Sequence, residues 1–264
     1  MSPPPATALA TAVHDPSGKL APAIARLAPR LREMFGEFVF NISEATSPDV
    51  AKLAADLLDA TIVWHPPSEA HIGKIRREAV GLARRSQAVL YTDPDHLLRW
   101  IDRDEADLRR VLATQPDVEV LVVGRSAAAM AQQPARLRET EALVNHTYRL
   151  LTGDAWDLLF AVRRLSRPAA ALIARDSRID TLANDVEWPL LARQAGLRVG
   201  YVESDALIYR TIEEFGAAAD TGDGQPLQWI RRLEFAALMA TAMRRFLPDA
   251  PHDPMPAAAS KSPP

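Results

Sequence analysis

The chain has 264 residues, 48% apolar and 25% charged, with a formal net charge of −3. That is enough chain to bury one large core, and no basic excess points to a nucleic-acid surface. With no cysteine, disulfides, thiolate catalysis and Cys-ligated zinc are excluded.

No apolar run reaches the roughly 18–20 residues of a membrane span. The start, "MSPPPATALATAV", lacks the basic head and clean apolar stretch of a secretory signal, so a cytoplasmic location is expected. Residues 1–21 and 248–264 are rich in Pro, Ala and Ser and are expected as disordered tails, leaving 22–247 as one domain.

Inside that domain, "EFVFNI" (37–42) reads as a strand. "SPDVAKLAADLLDA" (47–60) reads as a helix, with Ser47 as N-cap, Pro48 at its first position and Asp49 in its first turn. "TIVWH" (61–65) is a strand, "GKIRREAVGLARRS" (73–86) a helix and "AVLYT" (88–92) a strand. "DEADLRRVLATQ" (104–115) is a helix and "VEVLVVG" (118–124) a strand. Unalternating apolar strands separated by helices predict a mostly parallel sheet covered on both faces. Helices follow over 136–153, 167–177, 184–196 and 226–247, with a strand at 197–204. The fold expected is α/β with a helical C-terminal part.

The strand at 88–92 ends in Asp93 and Asp95, separated by one proline. Paired carboxylates repel unless a positive charge lies between them. A hard divalent cation, Mg²⁺ or Mn²⁺, suits such oxygens and normally bridges to substrate phosphates. The alternative is that both aspartates cap the segment that follows. Upstream, Gly73 opens a helix whose first turns carry Lys74, Arg76 and Arg77, an arrangement suited to an anion. His96 lies beside the carboxylates, within reach of metal or phosphate if it is not a cap or solvent-exposed.

"GKIRREAVGLARRSQAVLYTDPD" resembles the core of nucleotide-sugar-dependent glycosyltransferases of the GT-A fold, family 2. "NDVEWPLLARQAGLRVGYVES" (184–204) is similar to the family's second signature, where an acidic pair opens a helix that runs into a strand. "DLLFAVRRLSRPAAALI" (157–173) is similar to its acceptor-side segment, an apolar turn followed by R-x-x-S-R-x-A. The resemblance spans roughly residues 36–210. It implies a Rossmann-related, GT-A-like sheet and an enzyme that moves a sugar from a nucleoside-diphosphate sugar to an acceptor hydroxyl, with inversion and with Mg²⁺ or Mn²⁺.

By the same resemblance Asp95 holds the metal, and Asp93 meets it through water or contacts the donor ribose. Lys74 and Arg77 lie near the nucleotide and diphosphate, Ser43 and Glu44 seat the base and ribose, and Asp185 is the general base, with Glu187 second to it. Three departures stand out: the acidic residue at the second strand end has no clear counterpart in "TIVWHPPSE", where only Glu69 is near; the acidic pair reads Asn184-Asp185, not Glu-Asp; and the Q-x-x-R-W helix is absent in clear form.

Two other classes compete. One is a nucleotide-sugar-binding relative without activity. The other is a haloacid dehalogenase-type phosphatase, which "TGDGQ" (221–225) faintly resembles, but that chemistry needs a lysine absent between Asp95 and Asp223. The apolar stripe of helix 226–247, with Ile230, Leu233, Ala237, Met243 and Phe246, reads as core packing, a membrane-surface contact or a homodimer contact.

Overall fold

In the computed structural model, residues 7–208 and 221–247 are described. The expected mostly parallel sheet flanked by helices is the observed architecture. Seven strands run β1 Thr7–Val13, β2 Glu37–Ser43, β3 Thr61–His65, β4 Ala88–Tyr91, β5 Val120–Arg125, β6 Val162–Ser166 and β7 Val199–Ser204. Their spatial order is β3-β2-β1-β4-β6-β5-β7. Only β6 is antiparallel to its neighbours, β4 and β5.

The N-terminal tail expected over 1–21 is corrected in part. Residues 7–13 form β1, the central strand of the parallel half, paired with both β2 and β4. α1 (Ala21–Met34) then returns the chain to β2. The physical reason lies in "TALATAV": its side chains alternate between the two faces of the sheet. Ala8, Ala10 and Ala12 are small enough to let a helix approach on one side, while Leu9 and Val13 fill the other. The C-terminal tail expected at 248–264 lies outside the described residues.

The helices split between the two faces. α1, α2 (Pro48–Leu58) and α4 (Pro94–Ala113) cover Leu9, Phe38, Phe40, Ile42 and Leu90. α3 (Ile72–Leu82), α6 (Ala135–Thr152), α7 (Arg167–Asp176), α8 (Asn184–Gln194) and α9 (Pro226–Arg244) cover the other face. A short α5 (Ala127–Ala131) follows β5.

α4 begins at Pro94, ten residues before the expected start at Asp104. Asp104 breaks the helical dihedrals, and its carboxylate accepts from the Asp107 N–H at 2.9 Å. The sequence signal at Asp104 is therefore a cap inside a kinked helix. β6 was not expected as a strand; Arg163–Ser166 begin the R-x-x-S-R-x-A segment that follows the apolar turn. Its "VRRLS" does not read as a buried strand, yet Arg163 and Arg164 are both buried, with their guanidinium groups held by backbone carbonyls.

Leu9→Ala is expected to lower the free energy of unfolding by about 2–5 kcal/mol, read from urea denaturation. A chain beginning at residue 15 is expected to show no cooperative transition. If that truncated chain melts like the full one, the central position of β1 is wrong.

Candidate active site

The carboxyl ends of β1, β3 and β4 open into a cleft of ≈1190 Å³, the place where ligands bind in open parallel sheets. Asp93, Asp95 and Asp185 all line it. They arrive from two directions: Asp93 and Asp95 from the turn between β4 and α4, and Asp185 from the first turn of α8.

Arg76 joins them. It sits on the inward face of α3 and is 7% exposed. One Nη donates to Asp93 Oδ2 at 3.2 Å; the other donates to Asp185 Oδ1 at 3.1 Å and to Asn184 Oδ1 at 3.3 Å. The guanidinium also lies over the Tyr91 ring, 5.5 Å from its centroid. Tyr91 donates its hydroxyl to Asp93 Oδ1 at 2.8 Å and packs edge-on against Trp188. Asp93 thus occupies the N-cap position of α4 without capping it. Its carboxylate is turned into the cleft network instead.

Burial disfavours the Arg76 charge. The Asp93 carboxylate, with Tyr91 and Asp185 behind it, outweighs that cost and holds its pKa above the usual arginine range. Burial likewise pushes the Asp185 carboxyl up, against the pull of Arg76 and then of Arg163. Arg163, in β6, donates to the Asp185 carbonyl oxygen at 3.0 Å. Burial also raises Tyr91 well above its ordinary value, so it remains a donor.

Asp95 is more open. Its Oδ2 accepts from Arg99 at 2.7 Å, and His96 Nε2 lies 3.9 Å away. The His96 ring stacks on Phe160, with centroids 4.2 Å apart. Among the described residues no three His, Asp or Glu side chains gather as a ready metal cage. The acids in the cleft still fit the other Mg²⁺ pattern, in which one or two carboxylates share the ion with substrate phosphates and water.

Several expected contacts fall elsewhere. Lys74 is half exposed and pairs with Glu78 at 3.8 Å. Arg77 turns toward the loop after α7 and pairs with Asp180 at 2.8 Å. Neither lines the cleft. The start of α3 does not present open amides either, because the Asp180 carbonyl accepts from the N–H groups of Gly73 and Lys74 at 2.7 and 3.3 Å. Gly73 permits that approach: a Cβ there would lie 2.2 Å from the Thr181 carbonyl oxygen.

Ser43 ends β2 and Glu44 follows it, both outside the cleft lining. The Ser43 Oγ lies 3.0 Å from His14 Nδ1, and Glu44 is exposed. Glu187 braces the loop after α7, accepting from Ser177 Oγ at 2.6 Å and the Arg178 N–H at 2.9 Å. Asp223, the acid of the "TGDGQ" loop, caps α6 through the Ala135 and Arg136 N–H groups.

One site feature escaped the sequence reading, and the central place of Arg76 among the three cations of α3 was not singled out. His14 and Asp15 follow β1 and line the cleft, and Asp15 pins the loop by accepting from the Leu20 N–H at 2.8 Å. An apolar run ending in "HD" was the available signal. Arg76 had a sharper one. It lies four residues after Ile72, three before Ala79 and four before Val80, so helical spacing centres it on the apolar face.

No family model matches the chain, and no curated protein matches it. Solved structures do. A crystal structure of a mycobacterial protein aligns with TM-score 0.52 at 16% identity, covering 88% of this chain and 74% of that one. Glucosyl-3-phosphoglycerate synthase from Mycobacterium tuberculosis, in complex with Mn²⁺, uridine diphosphate and phosphoglyceric acid, aligns with TM-score 0.48 at 13% identity, covering 88% and 78%. The same enzyme with Mn²⁺, uridine-diphosphate-glucose and glycerol 3-phosphate gives 0.48 at 14%, covering 88% and 80%. At these identities the likeness is one of architecture, a helix-flanked, mostly parallel sheet.

Arg76→Met is expected to cost roughly 3–5 kcal/mol of stability, because it strands two carboxylates in the cleft wall. Lys74→Ala is expected to stay within about 0.5 kcal/mol of the parent. Urea midpoints measure both; equal effects would remove Arg76 from the centre of the site.

Proposed function

We propose that this protein is a metal-dependent glycosyltransferase that uses a nucleoside-diphosphate sugar and inverts the anomeric centre. The observation that carries the reading is the meeting of Asp93, Asp95 and Asp185 in one cleft at the strand ends.

In this reading Asp95 would hold Mg²⁺ or Mn²⁺, and the ion would supply charge neutralisation for the departing nucleotide. Asp93 does not ligate directly. Its two oxygens are taken by Tyr91 and Arg76, so it fixes the turn that presents Asp95. His14 and Asp15, at the end of β1, face the nucleoside end of the donor.

Asp185 is the general base. It takes the proton from the acceptor hydroxyl as that oxygen attacks the anomeric carbon. Its burial suits the task, since a carboxyl raised above its ordinary value accepts a proton more readily near neutral pH. The Asp185 backbone is anchored by Arg163 and its carboxylate by Arg76, so the base is aimed before substrate arrives. The geometry is that of a site set for a developing charge, in which fixed donors need no reorganisation.

Among the described residues no helix is long and apolar enough to cross a membrane. The sugar, the nucleotide and the acceptor are open to screening.

Thermal melting against uridine, guanosine and adenosine diphosphates, with and without Mn²⁺, tests the donor half. One nucleotide is expected to raise the melting temperature only with the metal present, and Asp95→Ala is expected to abolish the shift. Asp185→Asn is expected to keep that binding while turnover falls about 10²–10⁴-fold. The acid limb of the rate profile is expected above the ordinary aspartate value near pH 4, because the protonated base is inactive and its pKa is raised. Metal-independent binding, or undiminished turnover by Asp185→Asn, would sink the assignment.

A further inference from the structure

Nine large apolar side chains are exposed among the described residues, and six of them lie on two helices that pack together. They are Leu143 and Leu150 on α6, and Leu227, Ile230, Leu233 and Leu238 on α9. Single exposed leucines are ordinary, but a contiguous group of this kind marks a contact surface.

α9 has two working sides. Met239, Ala242 and Met243 are buried in the core, and Arg232 and Phe235 wall the cleft. Arg232 also pairs with the buried Glu141 at 2.5 Å. On the outer side, Leu227, Ile230, Arg231, Glu234 and Leu238 follow one another at helical spacing and form one stripe. The two charges in that stripe have opposite sign. Neither Arg231 nor Glu234 has an ion-pair partner among the described residues.

We propose that this face seats a second copy of the chain, with α9 of one copy antiparallel to α9 of the other about a twofold axis between Arg232 and Leu233. In that register each Arg231 lies opposite Glu234 of the second copy, and each Leu227 opposite its Leu238. A twofold contact must be self-complementary, each patch meeting itself in reverse. A stripe with one cation and one anion near its middle and an apolar residue toward each end meets that condition only in the antiparallel sense. Leu143 and Leu150 on the neighbouring α6 widen the apolar area.

The same stripe suits a lipid surface poorly. A helix lying on a membrane presents an unbroken apolar face with basic residues at its margins. Here Glu234 sits within the stripe, and Glu139 is exposed on α6. The inference stands apart from the proposed reaction. It gives α9 a second task all the same, because the helix that walls the cleft would be held from behind by its counterpart.

Sedimentation velocity and light scattering on the full chain test it. The expected mass is twice the 29.0 kDa of one chain. Arg231→Glu alone sets like charges opposite each other, as does Glu234→Arg alone. Each is expected to weaken self-association by at least ~10-fold, which corresponds to about 1.4 kcal/mol. The double variant Arg231→Glu/Glu234→Arg is expected to restore association to near the parent value. Both positions are exposed, so circular dichroism should stay parental in all three variants, as should the melting temperature at a dilution where the parent is monomeric.

A parent chain that is monomeric at ~100 µM, well above the affinity of a standard-sized interface, would overturn the proposal. So would a dimer indifferent to both charge reversals, which would place the contact on another face. A monomer that sediments with phosphatidylcholine–phosphatidylserine vesicles would assign the face to a membrane instead.

Discussion

One buried guanidinium ties the molecule together. Arg76 reaches from α3 to Asp93 after β4 and to Asp185 at the start of α8. Each of these groups alone would be costly to bury, since a charge loses its water in the interior. Together they are paired, and three segments far apart in the chain are fixed in one arrangement. Side-chain positions around them then follow. Tyr91 must point its hydroxyl at Asp93, Trp188 closes over the Tyr91 ring, and Gly73 must be small so that α3 can press against the 179–181 loop. The cleft is as well defined as this cluster.

Most of the fold was legible because most of it rests on local pattern. β3 was placed at its observed bounds, and α2, α3, α6, α7 and α8 fell within a few residues of theirs. Apolar strands alternating with capped helices carry their own signal. What was missed lacked it. β1 lies in a Pro- and Ala-rich opening, and its alanines look like composition until the sheet shows them facing a helix at close range. β6 carries two arginines in five residues. They point to opposite faces, and each donates to carbonyl oxygens that come from other parts of the chain. No local rule supplies those partners.

The missing first strand also shifted the reading of the site. With β1 unseen, 37–42 was taken as the first strand, and an acid was sought at the end of 61–65, where only Glu69 is near; it lies four residues past β3 and lines the cleft. In the observed order β2 is the second strand, and its end is Ser43-Glu44. The error was one of counting and moved no residue; still, Glu44 stays outside the cleft lining. Asp93 and Asp95 were legible from charge and spacing, and Asp185 from the family resemblance alone. The basic cluster was read too evenly: Lys74, Arg76 and Arg77 all carry charge, and only burial distinguishes them. The residue that a helical wheel sets among Ile72, Ala79 and Val80 was the one that mattered.

That buried arginine also bears on how the proposed chemistry would proceed. Arg76 and Arg163 are balanced in the cleft wall by Asp93 and Asp185. When Asp185 takes a proton from the acceptor, one of the two negative charges is cancelled. Arg76 is then shared by Asp93 alone, and its field toward the cleft grows. In the proposed reaction that would coincide with negative charge building on the departing diphosphate. Proton abstraction and leaving-group stabilisation would then be coupled through one side chain. A lysine at position 76 would keep the charge but not the fork, and could not hold both carboxylates in their present geometry at once.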